Sequence, residues 1–232
     1  MRFSDLPERL REVSGRIDAA VQRGGHGQRV TIIGVTKTHG PDAVEAAFEA
    51  GLRDVGENRV QEALKKMDAV HAAVRWHLIG HLQRNKAKHA ARFDLVHSID
   101  SARLADAVNE IGREQNRPLE VLLQVNVVGE ESKGGYPLET LRAEAERLRG
   151  ANGLRIRGVM AMAPLDADER TLRRVFSGAR AGRETLAALG HPATELSMGM
   201  SNDFEIAVEE GATLVRLGTI LFGAREGGGG TA

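Results

Sequence analysis

The first repeating feature of the chain is a helical spacing of apolar residues between positions 4 and 23. Apolar residues recur there three or four positions apart, as they do on one face of an α-helix. They are Leu6, Leu10, Val13, Ile17, Ala20 and Val21. This spacing predicts an opening amphipathic helix.

After this helix, short runs of β-branched residues alternate with longer stretches of helical spacing. The predicted strands cover residues 30–35, 53–55, 76–79, 95–99, 121–127, 156–160, 195–198 and 214–217. The predicted helices between them cover residues 41–50, 59–70, 101–115, 138–149, 169–189 and 204–210. Apolar strands that alternate with helices indicate parallel strands joined by right-handed crossovers.

Eight such strands predict an α/β fold, a single (β/α)8 barrel of the TIM type with an extra N-terminal helix. An open, doubly wound sheet is the alternative, although no Gly-x-Gly-x-x-Gly sequence follows the first strand. We expect one domain over residues 1–226 and a disordered glycine-rich tail over residues 227–232.

Charge and composition narrow the classes of partner. Lysine plus arginine equals aspartate plus glutamate, at 32 each in 232 residues, so no net field attracts nucleic acid or an anionic membrane. The chain has no cysteine, which excludes disulfides and thiolate chemistry and fits a reducing compartment. No apolar run approaches the roughly 18 residues of a membrane span, and the charged start leads into no apolar segment. We expect a cytoplasmic protein that binds neither nucleic acid nor membrane.

Residues with functional side chains end or follow the predicted strands. In a barrel, the carboxyl ends of the strands form one mouth, where the active site lies. The candidates are Lys37, Glu57, Asn58, His77, His81, Ser98, Asn126, Met162, Ser201, Asn202, Arg216, Gly218 and Thr219. Their spacing is consistent with one shared site.

Two segments late in the chain have the features of a phosphate site. Residues 196–204 lead from a strand through a glycine to Ser201, Asn202 and Asp203. Any of these three side chains can cap the following helix, whose free N–H groups suit a phosphate. The last strand ends in Arg216 and is followed by Gly218, which lets backbone amides approach closely, and by the hydroxyl of Thr219. Barrels often bind phosphate after strands seven and eight. The alternative is an ordinary helix cap beside an ordinary glycine turn.

Lys37 and Arg216 are the two charged residues with specific chemistry at these strand ends. An amine at the barrel mouth can form an imine, and beside a phosphate site it meets the needs of pyridoxal phosphate. The alternative for Lys37 is a solvated charge. Arg216 lies within an apolar run and therefore needs a partner. That partner is either a cofactor's pyridine nitrogen or a neighbouring carboxylate in a buried ion pair.

The histidines and the basic cluster carry weaker signals. His77 and His81 have no adjacent third ligand, so we expect no metal site. The basic cluster, residues 84–92 with Arg84, Lys86, Lys88, His89 and Arg92, is typical of a solvated helix face, and a phosphate or partner site is the alternative. Trp76, the only tryptophan, is expected in the core.

Over nearly its whole length the sequence resembles the pyridoxal phosphate homeostasis protein family, which is similar in fold to the barrel of alanine racemase. The resemblance is carried by Val-Thr-Lys-Thr at 35–38, Val-Gly-Glu-Asn-Arg-Val-Gln-Glu at 55–62, Trp-His-Leu-Ile-Gly-His-Leu-Gln-Arg-Asn-Lys at 76–86, Ser-Lys-Gly-Gly at 132–135, Leu-Ser-Met-Gly-Met-Ser-Asn-Asp at 196–203 and Val-Arg-Leu-Gly-Thr at 215–219. As an ordered set these motifs are highly specific.

This resemblance implies that pyridoxal 5′-phosphate (PLP) is held as a Schiff base on Lys37. It implies further contacts to the phosphate from Ser201, Gly218 and Thr219, to the pyridine nitrogen from Arg216, and to the ring from Asn58. The departures from the family pattern, after Lys37 and after Lys133, concern loop shape rather than cofactor attachment.

The implied role is PLP binding in vitamin B6 homeostasis, not rapid catalysis. Alanine racemase takes a second acid/base, a tyrosine, from an additional domain of its partner subunit. In this sequence the single tyrosine, Tyr136, follows the fifth predicted strand. A PLP-dependent racemase-like enzyme and a cofactor-free enzyme acting on a phosphorylated metabolite are the alternatives. We expect a monomer that contacts apo PLP-dependent enzymes transiently.

Overall fold

The elements of the chain follow the order predicted from its hydrophobic pattern. The computed structural model describes residues 3–130 and 134–223. The strands are β1 (Thr31–Val35), β2 (Asp54–Glu57), β3 (Arg75–Leu78), β4 (Leu95–Ile99), β5 (Leu119–Asn126), β6 (Tyr136–Pro137), β7 (Leu154–Ala161), β8 (Glu195–Ser197) and β9 (Leu214–Leu217). The helices are α1 (Leu6–Gly24), α2 (Pro41–Glu49), α3 (Val60–Ala69), a 3₁₀ helix (Arg84–Arg92), α4 (Ala102–Glu114), α5 (Leu138–Leu148), α6 (Glu169–Ala188), α7 (Phe204–Glu209) and α8 (Thr219–Phe222).

Eight of these strands close into a parallel barrel. Around the barrel the order is β1, β2, β3, β4, β5, β7, β8 and β9, and β9 pairs with β1 again. Ile33 in β1 is level with Asp54 in β2 on one side and with Arg216 in β9 on the other. The (β/α)8 barrel is therefore confirmed, and the open sheet is wrong because both of its edges would stay unpaired.

The structure departs from the sequence-based elements in several places, among them the additional short helix α8 and the earlier starts of β5 and β7. β6 is an additional two-residue strand that pairs with β5 outside the ring of eight. β2 extends to Glu57, two residues further than predicted, because this carboxylate is buried with polar partners that sequence spacing does not reveal. The basic cluster forms a 3₁₀ helix. The predicted domain limit at 226 and the tail at 227–232 lie outside the described residues.

Two apolar layers hold the barrel together. Inside it, alternate strand positions bury a small cluster of Ile33, Leu95, Leu122, Met160 and Leu214, as the two-residue period of a strand requires. Outside it, a larger core fills the space between strands and helices. Trp76 is half-buried against this outer core.

The predicted opening helix is α1, and its apolar stripe is buried against the end of the chain. Leu6, Val13, Ile17 and Ala20 are buried along it, and α1 packs on α7 and α8. Arg16 fixes this packing with a 2.6 Å ion pair to Glu205. In the part of the chain that the structure describes, no helix combines the length and the apolar character needed to cross a membrane.

Candidate functional site

Three of the sequence-predicted site residues follow neighbouring strands at one mouth of the barrel. Lys37 follows β1, Asn58 follows β2 and Gly218 follows β9, and β1 lies between the other two strands. A Cβ atom placed on Gly218 would lie 3.5 Å from Val35, the last residue of β1. Lys37 itself is half-buried. The lysine and the glycine turn therefore share one mouth, as predicted.

A hydrogen bond adds the segment after β8 to this mouth. The hydroxyl oxygen of Ser201 accepts a 3.4 Å hydrogen bond from the backbone N–H of Ile220 in α8. This bond places Ser201 beside the turn that contains Gly218 and the exposed Thr219. Four consecutive strands of the barrel, β8, β9, β1 and β2, thus deliver the predicted residues to one place.

The expected side-chain cap of the helix after Ser201 is wrong. Asp203 occupies the cap position of α7 and makes no capping bond to it. Its carboxylate instead accepts a 2.6 Å hydrogen bond from the backbone N–H of Met200, which stabilises the turn between β8 and α7. This turn requires a glycine at Gly199, because its φ is +91° and an added Cβ would lie 2.7 Å from Ala207.

The turn that carries Lys37 is held from below by a buried lysine. The ammonium of Lys66, in α3, donates hydrogen bonds to the carbonyl oxygen of Thr36 at 2.8 Å, to Glu57 at 2.6 Å and to Glu62 at 2.9 Å. Glu57 also accepts from the hydroxyl of Thr36 at 2.5 Å. All three ammonium protons are used. We call these residues, Thr36, Glu57, Glu62 and Lys66, the clamp.

The clamp forms hydrogen bonds to the backbone on both sides of Lys37. On the far side, the backbone N–H of Thr38 donates to Glu62 at 2.7 Å. Thr38 has a φ of +68°, a left-handed conformation that non-glycine residues adopt only when their surroundings impose it. The backbone direction at Lys37 is therefore set by α3 and β2 as well as by β1.

The two carboxylates of the clamp are held in different electrostatic states. Burial raises the pKa of Glu57 in spite of the bonds from Lys66 and Thr36. Burial acts the same way on Glu62, but the bonds from Lys66 and from the Thr38 N–H outweigh it and lower its pKa. Glu62 therefore stays ionised opposite the ammonium as the solution is acidified, whereas Glu57 takes up a proton more readily.

Asn58 is fixed by close contact with the next loop. A Cβ atom at Gly80, after β3, would collide with the carbonyl oxygen of Asn58 and lie 2.7 Å from its Cα. Only glycine allows this approach of two backbones. Asn58 is half-buried and thus has a defined backbone position at the mouth.

Arg216 points into the barrel beneath this mouth. Its guanidinium donates to the hydroxyl oxygen of Ser197 at 2.5 Å and to the carbonyl oxygen of Ala161 at 2.9 Å. No carboxylate among residues 3–130 and 134–223 forms an ion pair with it, so the buried ion pair is wrong for the described residues. Burial lowers the pKa of Arg216 to about 10, against a smaller opposing effect of Asp203. The guanidinium remains charged at neutral pH.

The two histidines considered for a metal have separate partners. His77 bonds to Asp54 and His97, each at 2.9 Å, whereas His81 bonds to Asp100 at 3.0 Å. Within the described residues, no three side chains of histidine, aspartate or glutamate are grouped to bind a metal. In the basic cluster, Arg84, Lys88 and Arg92 are exposed, and Arg92 pairs with Asp68 at 3.1 Å.

Sequence reasoning missed the clamp lysine and the partners of Arg216. The buried residues of α3 are Val60, Ala63 and Lys66, so Lys66 lies on the apolar stripe of its helix. A lysine on such a stripe is an available signal of a buried ion pair. Ser197 gave no comparable signal, because its contact with Arg216 depends on the pairing of β8 with β9.

Comparisons with known proteins agree with this geometry. Residues 11–226 match the family described as alanine racemase, N-terminal domain. The chain is 42% identical to the pyridoxal phosphate homeostasis protein of Pseudomonas aeruginosa, over 97% of this chain and 98% of that one. It is 40% identical to the protein of the same name from Aquifex aeolicus, over 94% of this chain and 98% of that one.

The fold agrees as well. PipY of Synechococcus elongatus, solved with PLP bound, is 38% identical to this chain. The two superpose with a TM-score of 0.83 over 94% of this chain and 100% of that one. The resemblance found in the sequence motifs is therefore confirmed, and the chain belongs to the pyridoxal phosphate homeostasis protein family.

Proposed function

We propose that this protein binds PLP as a Schiff base on Lys37 and acts in PLP homeostasis rather than as a fast catalyst. The observation that carries the proposal is the meeting of a half-buried lysine, a small-residue turn and a buried arginine on four consecutive strands. PipY, its relative, was solved with PLP bound, and the relatives from Pseudomonas and Aquifex are named for PLP homeostasis.

Lys37 is the residue for covalent attachment. Its amine would add to the aldehyde carbon of PLP, and loss of one water molecule would leave a carbon–nitrogen double bond. When bound, PLP supplies a conjugated ring that withdraws electrons from this bond. The clamp supports the assignment because it fixes the backbone before and after Lys37, so the amine is presented from an ordered turn.

The phosphate would be held by Ser201, Gly218 and Thr219. The contact of Ser201 with the N–H of Ile220 brings its hydroxyl to the turn after β9. Gly218 carries no side chain there, so backbone amides are accessible to an anion. The half-buried Ser201 and the exposed Thr219 add hydroxyl donors. These three residues therefore fit a phosphate group.

Arg216 and Asn58 would contact the ring. Arg216 is the buried cation beneath the mouth, and a permanently charged guanidinium beside the pyridine nitrogen keeps that nitrogen unprotonated. Asn58 lies on the neighbouring strand end. An unprotonated ring is a weak electron sink, which suits a protein that holds PLP more than one that uses it.

The state of Tyr136 argues against the racemase-like alternative. This only tyrosine of the chain is buried, and its hydroxyl donates to Glu144 at 2.9 Å. Burial and the Glu144 bond raise its pKa far above the usual range. A buried hydroxyl that already donates to Glu144 does not suit the role of second acid/base in a two-base racemization.

The cellular location, the oligomeric state and the protein partners are proposed here as expected from the sequence. We propose a cytoplasmic monomer that passes PLP to apo enzymes by transient contact. Sedimentation of the purified protein tests the monomer. Transfer of PLP from the loaded protein, measured at rising concentrations of an apo enzyme, tests direct contact, because free diffusion would give a transfer rate that saturates at the rate of PLP release.

Borohydride trapping tests the attachment site. Borohydride reduces the Schiff base to a stable secondary amine, so the PLP mass should appear on the peptide that contains Lys37 and disappear in Lys37→Ala. Lys65→Ala, which removes an exposed lysine, is the matched control and should keep the mass. PLP mass on another lysine, or on none, would overturn the proposal. Exchange of the α-hydrogen of D- or L-amino acids by the loaded protein would favour the racemase-like alternative.

A further inference from the structure

A chain of polar side chains crosses the interior of the barrel from Arg216 to the opposite mouth. Arg216 donates to the oxygen of Ser197 at 2.5 Å, and that oxygen lies 2.9 Å from Nδ1 of His97. Nε2 of His97 lies 2.9 Å from Nδ1 of His77, whose Nε2 lies 2.9 Å from Asp54. We call Ser197, His97, His77 and Asp54 the relay.

The relay runs through the barrel and not along its wall. His97 is in β4 and Ser197 is in β8, and these strands are not neighbours in the sheet, so their bond spans the interior. His97 and Ser197 are fully buried, and His77 and Asp54 are 4% exposed. The lower end of the relay opens to a cavity of about 400 Å³ at the amino ends of the strands, lined by Asp54, His77 and Arg75.

When both histidines are neutral, the two ends of the relay determine the direction of every bond in it. Arg216 can only donate, and the Asp54 carboxylate can only accept. His77 must then carry its proton on Nε2 and accept at Nδ1, so His97 must also carry its proton on Nε2. The hydroxyl of Ser197 donates to Nδ1 of His97 and accepts from Arg216. One neutral tautomer of each histidine satisfies all four bonds.

Burial and the surrounding charges favour the neutral form of His97. Burial, reinforced by His77 and by the cation of Arg216, lowers the pKa of His97 well below its usual value. The charged groups that face the relay are Arg216 at the upper end and, at the lower end, Asp54 and Arg75, which pair at 2.6 Å. The cavity at the lower end is also lined by Asp94, Glu120, Arg157 and Glu195. Asp203 acts on Arg216 from the mouth.

We propose that the relay positions the Arg216 guanidinium beneath the mouth and thereby sets the protonation of the pyridine ring bound above it. This inference rests on the proposed function, since the ring is that of PLP. Ser197, His97, His77 and Asp54 act through Arg216 and are positioning residues. If the relay is broken, Arg216 keeps its bond to the Ala161 carbonyl oxygen, but Ser197 is no longer oriented by His97, and the cation moves from the ring nitrogen.

A first experiment needs no PLP. Nitrogen-15 spectra of the imidazole groups in the unsubstituted apo protein should show His77 and His97 both protonated on Nε2 and both unprotonated on Nδ1 at neutral pH. A proton on Nδ1 of His97 would overturn the relay, because Ser197 could not then donate to it. This result is independent of whether the proposed function holds.

A second experiment uses the PLP-loaded protein and measures the pH midpoint at which the imine absorbance changes. His77→Leu has no hydrogen-bonding group, whereas His77→Gln retains one donor and one acceptor. We expect His77→Leu to lower the midpoint by about one pH unit, because a ring nitrogen relieved of the Arg216 cation protonates and draws electrons from the imine. The midpoint of His77→Gln should return most of the way to that of the unsubstituted protein.

His71→Leu is the matched control for the loss of a histidine outside the relay. His71 is exposed and takes no part in the relay, so its replacement should leave the midpoint unchanged. Equal midpoints in His77→Leu, His77→Gln and the unsubstituted protein would overturn the inference. If the unsubstituted protein binds no PLP, the proposed function fails, and the tautomer measurement still decides whether the relay exists.

Discussion

The ammonium of Lys66 donates a 2.8 Å hydrogen bond to the carbonyl oxygen of Thr36, the residue that precedes Lys37. Lys66→Met removes this bond and leaves the buried carboxylate of Glu57 without its counter-charge. Breaking a buried ion pair in this way costs about 3 kcal/mol. We expect urea denaturation to show this loss, and borohydride trapping on Lys37 to fall in the fraction that stays folded.

Lys65→Met is the matched control, because Lys65 is the exposed neighbour of Lys66 on the same helix. It should change neither the free energy of unfolding nor the trapped PLP beyond the few tenths of a kcal/mol typical of surface positions. Normal trapping by a well-folded Lys66→Met protein would show that the clamp does not present Lys37.

The phosphate contact can be tested by comparing PLP with pyridoxal, which lacks the phosphate. Ser201→Ala should weaken PLP binding about 10- to 100-fold, because a hydrogen bond to a charged group contributes about 1.5–3 kcal/mol. It should leave the weaker binding of pyridoxal unchanged. Ser177→Ala, whose hydroxyl bonds to Arg173 within α6, serves as the control. An equal loss for both ligands would place Ser201 away from the phosphate.

The substitution Tyr136→Phe tests whether the only tyrosine has a structural or a catalytic role. The substitution removes one hydrogen bond to Glu144, which keeps two bonds from Arg147 at 2.8 Å. We expect a loss of about 1 kcal/mol in the free energy of unfolding and unchanged PLP content. Should the loaded protein exchange the α-hydrogen of an amino acid and Tyr136→Phe abolish that exchange, the racemase-like alternative would gain direct support.

Acid should destabilise the protein through His97. Its folded-state pKa is lowered by burial, so below an unfolded pKa of about 6.5 the unfolded chain binds a proton that the folded chain excludes. The stabilising effect is therefore present above pH ~6.5 and is lost as the pH falls, by up to about 1.4 kcal/mol per pH unit. Urea denaturation between pH 7 and pH 5.5 should show this slope in the wild type and a smaller one in His97→Gln.

His71→Gln is the control for this pH series, because it removes an exposed histidine and should keep the wild-type slope. An unchanged slope in His97→Gln would mean that other groups cause the acid destabilisation.

Two glycine-to-alanine substitutions should change the stability of the protein in opposite directions. Gly80→Ala forces a Cβ into the backbone of Asn58, so the loops after β2 and β3 must separate, and we expect lower thermal stability together with weaker PLP binding. Gly15→Ala adds a Cβ in open space inside helix α1, where alanine is favoured over glycine by about 0.5–1 kcal/mol. A Gly80→Ala protein as stable as Gly15→Ala would contradict the close approach.

The sequence predicted the strands well where burial is uniform and poorly where polar residues are buried. The bounds 95–99 and 214–217 agree with β4 and β9 to the residue, because continuous apolar runs identify parallel strands. The predicted second strand ends before Glu57, since the burial of Glu57 depends on Lys66, nine residues later. The role of His97 was not predictable, because its partner Ser197 is a hundred residues away and faces it only once the barrel has closed.

The position of β1 between β2 and β9 has a thermodynamic consequence. The strand ends that carry Lys37, Asn58 and Gly218 are held by backbone ladders that form during folding, so little conformational entropy is left to be lost when a ligand enters. A ligand that binds only the folded state raises its stability with the logarithm of ligand concentration. The melting temperature of this protein should therefore rise with the concentration of free PLP. The folded fraction of the protein would then depend on the supply of the cofactor.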